Sequence, residues 1–479
     1  MNSRMICRVL GLILLCLAAL LLLPLLVGLC FGEPVWSFLW TALLAAALGF
    51  LLTRFRPKNN NLFAREGFVI VGLGWILLSL LGALPFVLSG SIPHYGDALF
   101  ETCSGLSTTG ATILTDVEAM PRGDLFWRSF THWIGGMGVL VFLLAVLPMS
   151  GEHSMHIMRA EVPGPSVGKL VPRVRKTATI LYLLYIALTV LETVLLLCGG
   201  MSLYEALLHA FATAGTGGFS TRAASIGAFN SLYVELVTGV FMLLFGVNFN
   251  LYFLLLIGRW RDALKSEELH WYLGIILCSV LSLALGIRKL YGGTGLALRH
   301  AFFNTAAILS TTGFGTVDFT DWPTWCQAIL VLLMFCGGCA GSTGGGIKLS
   351  RLLILGKSVL AEIRQMISPR SVNRIQMDGR RLEPGTVKAT SVFFVLYMGL
   401  LLSFSLLVSL DDVDLVTAFT AALSCLSNIG PGMTKVIGPS GSFAFFSLRT
   451  KLLLSLAMLL GRLEIYPLLV LISPKTWKK

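Results

Sequence analysis

Charge is what this chain has least of: 13% of its 479 residues are Asp, Glu, Lys or Arg. A soluble protein carries about twice that share, so the scarcity excludes a globular chain in water. Histidine is scarce too, at seven, and no His, Asp or Glu cluster stands at the spacing a membrane-embedded enzyme needs. His153-Ser154-Met155-His156 comes nearest and lacks an acidic partner. Nucleotide signatures are missing as well. No βαβ pattern carries a dinucleotide fingerprint, and the run Gly344-Gly345-Gly346 is no Walker loop, because Ile347 separates Gly346 from Lys348. The ten cysteines lie mostly inside apolar runs, where Cys behaves as a small hydrophobe, so no disulfide framework is expected.

What is present is apolar. Hydrophobic residues make up 56% of the chain, and the mean hydropathy is +0.83. Apolar runs lie near 8–31, 36–53, 68–89, 125–149, 177–198, 232–257, 271–287, 323–336, 388–410 and 450–472. Most reach the ~20 residues that cross ~30 Å of hydrocarbon as a helix. The pattern predicts an all-α polytopic membrane protein. The first run is too long for a signal-peptide core, and Pro34-Val35-Trp36 leads straight into the next, so it reads as a retained helix.

Four short polar stretches centred on a glycine interrupt these runs: Ser107-Thr108-Thr109-Gly110, Gly215-Thr216-Gly217-Gly218, Ser310-Thr311-Thr312-Gly313 and Ser427-Asn428-Ile429-Gly430. A small-residue segment precedes each and is long enough for a half-helix of about two turns, whose carboxyl end favours a cation. Glycine lets the backbone turn its carbonyls toward a common axis, and a ring of carbonyls can replace a cation's water shell. Carbonyls of Ser107 through Gly110 and of their three counterparts are the candidate oxygens. Asp97, Glu101, Asp116, Asp318 and the cluster Asp411, Asp412 and Asp414 would concentrate cations at the mouth. The alternative is that Ser, Thr and Gly merely pack helices.

Charge placement predicts how the loops fold. Of the 36 Lys and Arg, 26 fall at the amino terminus, in four inter-run segments that lack the glycine stretches, and at the carboxyl terminus. The positive-inside rule puts these on the cytoplasmic side. That holds only if each glycine-bearing segment enters and leaves on the other face. The expected architecture is two leading transmembrane helices, then four helix–pore-loop–helix repeats around one central pore. The expected boundaries are 1–62 for the two-helix extension, then 63–165, 166–265, 266–380 and 381–479 for the repeats, with both termini cytoplasmic.

Two features lie beyond the glycine stretches. Gly337 to Gly346 holds six glycines within a segment that should otherwise be helical from Trp322 to Met366. Each costs up to ~1 kcal/mol in a helix, so the segment should be unwound and enclosed by protein or water. Close helix packing is its other use. Cys336-Gly337-Gly338-Cys339 lacks a second pair or a His that would make it a zinc site. Arg462 stands eleven residues before Ser473, about 16 Å along a helix from its inner end, too far to snorkel. A central arginine costs ~2.5–3.5 kcal/mol in lipid, so it should face the cavity, or else pair with Glu192 or Glu235.

The quadruple unit resembles the Trk/Ktr/HKT superfamily of potassium transport proteins, and the two extra leading helices point to its bacterial TrkH/TrkG branch. The resemblance covers essentially the whole chain. It is most specific in the stretch from Gly338 to Lys348 and in Gly461-Arg462-Leu463-Glu464-Ile465-Tyr466. It implies that Gly110, Gly218, Gly313 and Gly430 each form one corner of a potassium filter, with Gly217 beside Gly218 leaving that register open by one residue. It implies K+ as the transported ion, held at Thr108, Thr109, Gly217, Gly218, Thr311, Thr312, Asn428 and Ile429. A gate is implied at Gly337, Gly338, Gly341, Ser342, Thr343, Gly344, Gly345, Gly346 and Lys348, held closed by Arg462.

The resemblance further implies a homodimer in the bacterial inner membrane, driven by a cytosolic TrkA-like ring that binds the nucleotide this chain does not. The basic stretch Lys348–Lys388 is the expected docking surface, and its charge also suits anionic lipid. Basic residues spread over membrane-adjacent loops do not suit nucleic acid. With one filter glycine per loop, weaker discrimination against sodium is expected. A symporter coupled to protons or sodium, using His94, His132, His209 or His300, is the rival reading.

Overall fold

The structure, a computed structural model, describes residues 1–55, 63–138, 174–370 and 374–478. The second half of the run 125–149, His153, His156 and the basic residues Arg56, Lys58, Arg159, Lys169 and Arg173 lie outside them. Among the described residues the regular elements are all helices apart from a hairpin pairing Gln376–Met377 with Arg380–Arg381. Among the described residues, six helices are long and apolar enough to cross a membrane, or eight if two sharply bent pairs each count as one.

The leading helices are Ser3–Leu20, continued by Leu22–Cys30, and Trp36–Thr53. They pack through glycine: a Cβ on Gly11 would stand 2.7 Å from the Gly49 carbonyl oxygen, and one on Gly49 2.8 Å from that of Gly11. Small residues permit such close approach where lipid removes the usual hydrophobic drive.

The rest of the chain follows one order four times. The entry helices are Ala64–Gly82, Val174–Cys198, Glu267–Ile287 and Pro384–Val408. Short helices follow at Tyr95–Leu106, Leu203–Gly215, Thr294–Leu309 and Leu415–Ser427. The longest has 16 residues, about 24 Å at 1.5 Å each, too short to span the membrane. Their carboxyl-terminal halves are buried except at Phe211 and Phe302, which are half-buried, and this is how non-spanning backbone is tolerated at depth. The exit helices are Arg122–Met137, Leu232–Phe245, Thr324–Cys336 and Leu448–Arg462.

Polar seams place the helix starts on one face. Asp411, at the end of the fourth entry helix, accepts the N–H of Ser447 at 2.8 Å, just before the fourth exit helix. Asp97 on the first short helix pairs with Lys451 on the fourth exit helix at 2.7 Å. Arg299 on the third short helix makes two bonds to Glu235 on the second exit helix, at 2.6 and 2.7 Å. In the middle of the molecule, Trp127 donates to the Gly82 carbonyl, which the end of the first entry helix leaves free, at 2.9 Å.

Two apolar runs that read as continuous are broken. The second exit helix turns by 92° at Gly246–Asn248 into Phe249–Leu256, and the fourth turns by 118° at Leu463–Ile465 into Tyr466–Ile472. Asn248 caps the new helix by accepting the Asn250 N–H. The third breaks where the glycine run predicts: Thr324–Cys336 ends at Gly337, and Leu349–Ile367 follows.

Candidate functional site

All four short helices end in the same turn. Thr108, Thr216, Thr311 and Asn428 hold left-handed backbone, with φ of 56°, 56°, 60° and 56°. Their N–H groups bond back three residues, and those of Thr109, Gly217, Thr312 and Ile429 bond back five, at 2.8–3.0 Å. This is the Schellman cap, usually built on glycine. A non-glycine residue there costs ~1–2 kcal/mol, more for a β-branched threonine, and such strain persists only where the surroundings enforce it. Gly110, Gly218, Gly313 and Gly430 follow two residues later, all at positive φ. The left-handed Thr216 fixes the register of the second turn: Gly218, not Gly217, matches the other three.

The turns form a closed ring. A Cβ on Gly110 would overlap the Gly217 carbonyl oxygen, one on Gly218 that of Thr312, and one on Gly313 that of Ile429. A Cβ on Gly430 would stand 2.7 Å from the Thr109 oxygen and close the circle. Each glycine thus abuts the carbonyl before the next glycine. A cavity of about 80 Å³, touched by all four, opens on the side away from the short helices. Asn428 ties the seam between fourth and first turns, donating to the Thr109 hydroxyl at 3.0 Å and to the Met458 carbonyl at 2.9 Å.

Side chains behind the ring brace neighbouring turns. Glu101 accepts from the Thr112 hydroxyl at 2.8 Å and the Ile113 N–H at 2.9 Å, and pairs with Arg128 at 2.6 Å. Arg128 donates to the Ser220 carbonyl at 3.1 Å and lies 3.5 Å over the Phe219 ring. His132 donates from Nδ1 to the Gly105 carbonyl at 2.7 Å and accepts the Phe219 N–H on Nε2 at 3.2 Å. The sequence reading gave Glu101 and Asp97 to a cation-attracting mouth. Both are instead neutralised, by Arg128 and Lys451.

The glycine run lies against the opposite side of the ring. Gly345 donates to the Thr311 hydroxyl at 2.7 Å. A Cβ on Gly344 would stand 2.9 Å from the Ser310 oxygen, and one on Gly345 would overlap that of Ser427. The loop seats in the break of the second exit helix: Cys339 donates to Gly246 at 2.9 Å, and Phe249 donates to Gly341 at 3.1 Å. Gly337 and Gly346 pack on each other, Gly338 accepts the Leu349 N–H at 3.1 Å, and Lys348 reaches Ser342 and the Gly344 carbonyl. Among the described residues, no His, Cys, Asp or Glu cluster could hold a metal.

Arg462 departs from its expected setting. The fourth exit helix ends on it, so it is not 16 Å inside a continuous helix, and Glu235, one of its two candidate partners, pairs with Arg299. It donates to the Thr343 carbonyl of the loop and to the Gly135 and Gly136 carbonyls, each at 2.6 Å. A cation on the last carbonyls of the first exit helix is favoured by that helix's dipole. Just beyond, Glu464 and Ile465 both hold positive φ, and Glu464 pairs doubly with Arg351 at 3.0 and 2.6 Å. Sequence reasoning gave this pair no role, because the break that brings it together was not expected.

A family model described as TrkH, a cation transport protein, matches residues 36–273 and 292–479. The chain is 37% identical to the Trk system potassium uptake protein TrkH of Escherichia coli K12, with all of both chains covered. It is 36% identical to TrkG of the same organism over 88% of this chain and 87% of that one. The crystal structure of the potassium transporter TrkH from Vibrio parahaemolyticus matches with a TM-score of 0.89 at 34% identity, covering 100% of each chain. Four like turns closed into a ring on one polytopic chain, together with matches of this length, make it a member of the TrkH family of cation transport proteins.

Proposed function

We propose that this chain takes up potassium as part of a Trk system, through a gated pore built from four helix–pore-loop–helix repeats with the boundaries given above. The observation that carries the reading is the closed ring, in which Gly110, Gly218, Gly313 and Gly430 each abut a neighbouring turn's carbonyl. Carbonyls of Thr108, Thr109, Gly217, Gly218, Thr311, Thr312, Asn428 and Ile429 replace the hydration shell of K+. The loop from Gly337 to Lys348, fastened by Arg462, is the gate beneath them. No coupling ion is required, because the membrane potential supplies ~2.3 kcal/mol per charge per 100 mV. His132 and His209, two candidates for proton coupling, have both ring nitrogens engaged in bonds that fix the turns.

The reading places both termini in the cytoplasm of a bacterium and the protein in its inner membrane as a homodimer. A TrkA-like nucleotide-binding ring docks on the basic stretch Lys348–Lys388 and pulls on the gate. The test is rubidium uptake into liposomes holding the purified chain, with sodium as competitor. The parent is expected to prefer rubidium over sodium without excluding sodium, and Gly313→Ser is expected to abolish the preference; an unaltered preference in that variant sinks the filter assignment.

A further inference from the structure

Six glycines give the loop from Gly337 to Gly346 almost no conformational preference of its own, so its position is set by outside anchors. Arg462 and Thr311 hold the face toward the ring. On the far side stands Glu268, second residue of the third entry helix and only 5% exposed. Its Oε1 accepts the N–H of Ala340 at 2.7 Å and the N–H of Ser350 at 3.0 Å. Ala340 lies in the loop's entry, and Ser350 in the first turn of the helix that leaves it. One carboxylate oxygen therefore pins both ends of the segment carrying Gly341, Gly344, Gly345 and Gly346. Such charge-assisted bonds are about twice as strong as neutral ones.

The helix that carries Glu268 is tied in turn to the hairpin. The Glu267 N–H donates to Asp378 in the hairpin turn at 2.7 Å. Lys357, on the helix after the loop, bonds Glu267 at 2.6 Å and the Gln376 carbonyl at 2.7 Å. Behind the loop lies a cavity of about 670 Å³ whose lining includes Asn248, Glu268, Ala340, Ser350, Asp378 and Arg381. The loop thus has empty space beside it and one buried carboxylate between it and that space.

We propose that Glu268 is the latch that positions the gate loop in its closed state, and that the Asp378 hairpin is the handle through which a movement outside the membrane releases it. Once Oε1 loses its two donors, the loop withdraws into the adjoining cavity and clears the ring. The inference rests on the loop being the gate.

The test is basal rubidium uptake by the full-length chain in liposomes, with sodium competing. Glu268→Ala is expected to raise uptake about tenfold, the effect of losing hydrogen bonds to a charged group, with the rubidium-over-sodium preference unchanged. Glu268→Gln keeps an acceptor oxygen but loses the charge, and is expected to leak less than Glu268→Ala, about threefold above the parent. Ser350→Pro removes one donor at a helix position that tolerates proline and is expected to raise uptake about threefold, which decides the matter if Glu268→Ala does not fold. Deleting residues 341–345 tests the gate itself. If the deletion opens the pore and neither Glu268→Ala nor Ser350→Pro raises uptake, or if Glu268→Gln leaks as much as Glu268→Ala, the latch is wrong. If the deletion leaves uptake at the parental level, the gate reading falls with it.

Discussion

At the scale of residues, the four glycines are not equivalent. Gly110, Gly218 and Gly313 leave no room for a Cβ against the next turn's carbonyl, whereas Gly430 has 2.7 Å and a φ of 104°. Alanine at any of the first three is expected to collapse the rubidium-over-sodium preference, and Gly430→Ala to retain the largest share; competitive uptake in liposomes gives the ranking. Arg462 serves three carbonyls with two nitrogens of a planar fork. Lysine keeps the charge but not the fork. Basal uptake is expected to rise in the order parent, Arg462→Lys, Arg462→Gln; equal leak in the two variants would show that the fork's geometry, not its charge, holds the loop, and a parental Arg462→Lys would show the reverse.

At the scale of elements, the buried pair of Arg128 and Glu101 links the chain after the first turn to the chain after the second. Removing one partner of a buried pair costs ~3–5 kcal/mol. Arg128→Ala is therefore expected to lower the apparent Tm in detergent and to admit sodium, while Arg222→Ala, which breaks an exposed pair with Glu205, leaves Tm nearly unchanged. The elements also show what a sequence can and cannot reveal here. The glycine stretches and the Gly337–Gly346 run were legible because glycine is costly in a helix and has no reason to cluster there. The breaks at Gly246–Asn248 and Leu463–Ile465 were not, because hydropathy registers the apolar surroundings and not the continuity of the helix. Asn248, a ready helix cap inside an apolar run, was the available signal. Glu268 was hidden for a related reason: an acidic residue in a helix's first turn already has an ordinary explanation in the dipole.

At the scale of the molecule, contact passes around the ring in chain order, so damage at one corner is expected to reach the next before it reaches the opposite one. Gly110→Ala and Gly218→Ala share the interface at Gly217 and should couple by ~0.5–3 kcal/mol in a double-mutant cycle on unfolding. Gly110→Ala and Gly313→Ala, on opposite corners, should add more nearly. Comparable coupling in both cycles would mean that the turns respond as one body. The ring is also written once, in a single chain. In a tetramer of identical subunits one changed codon alters every corner together; here it alters one. If the ring is the filter proposed above, a single substitution changes a quarter of it and leaves the rest, and Asn428-Ile429 already differs in side chain from the two turns that carry a pair of threonines.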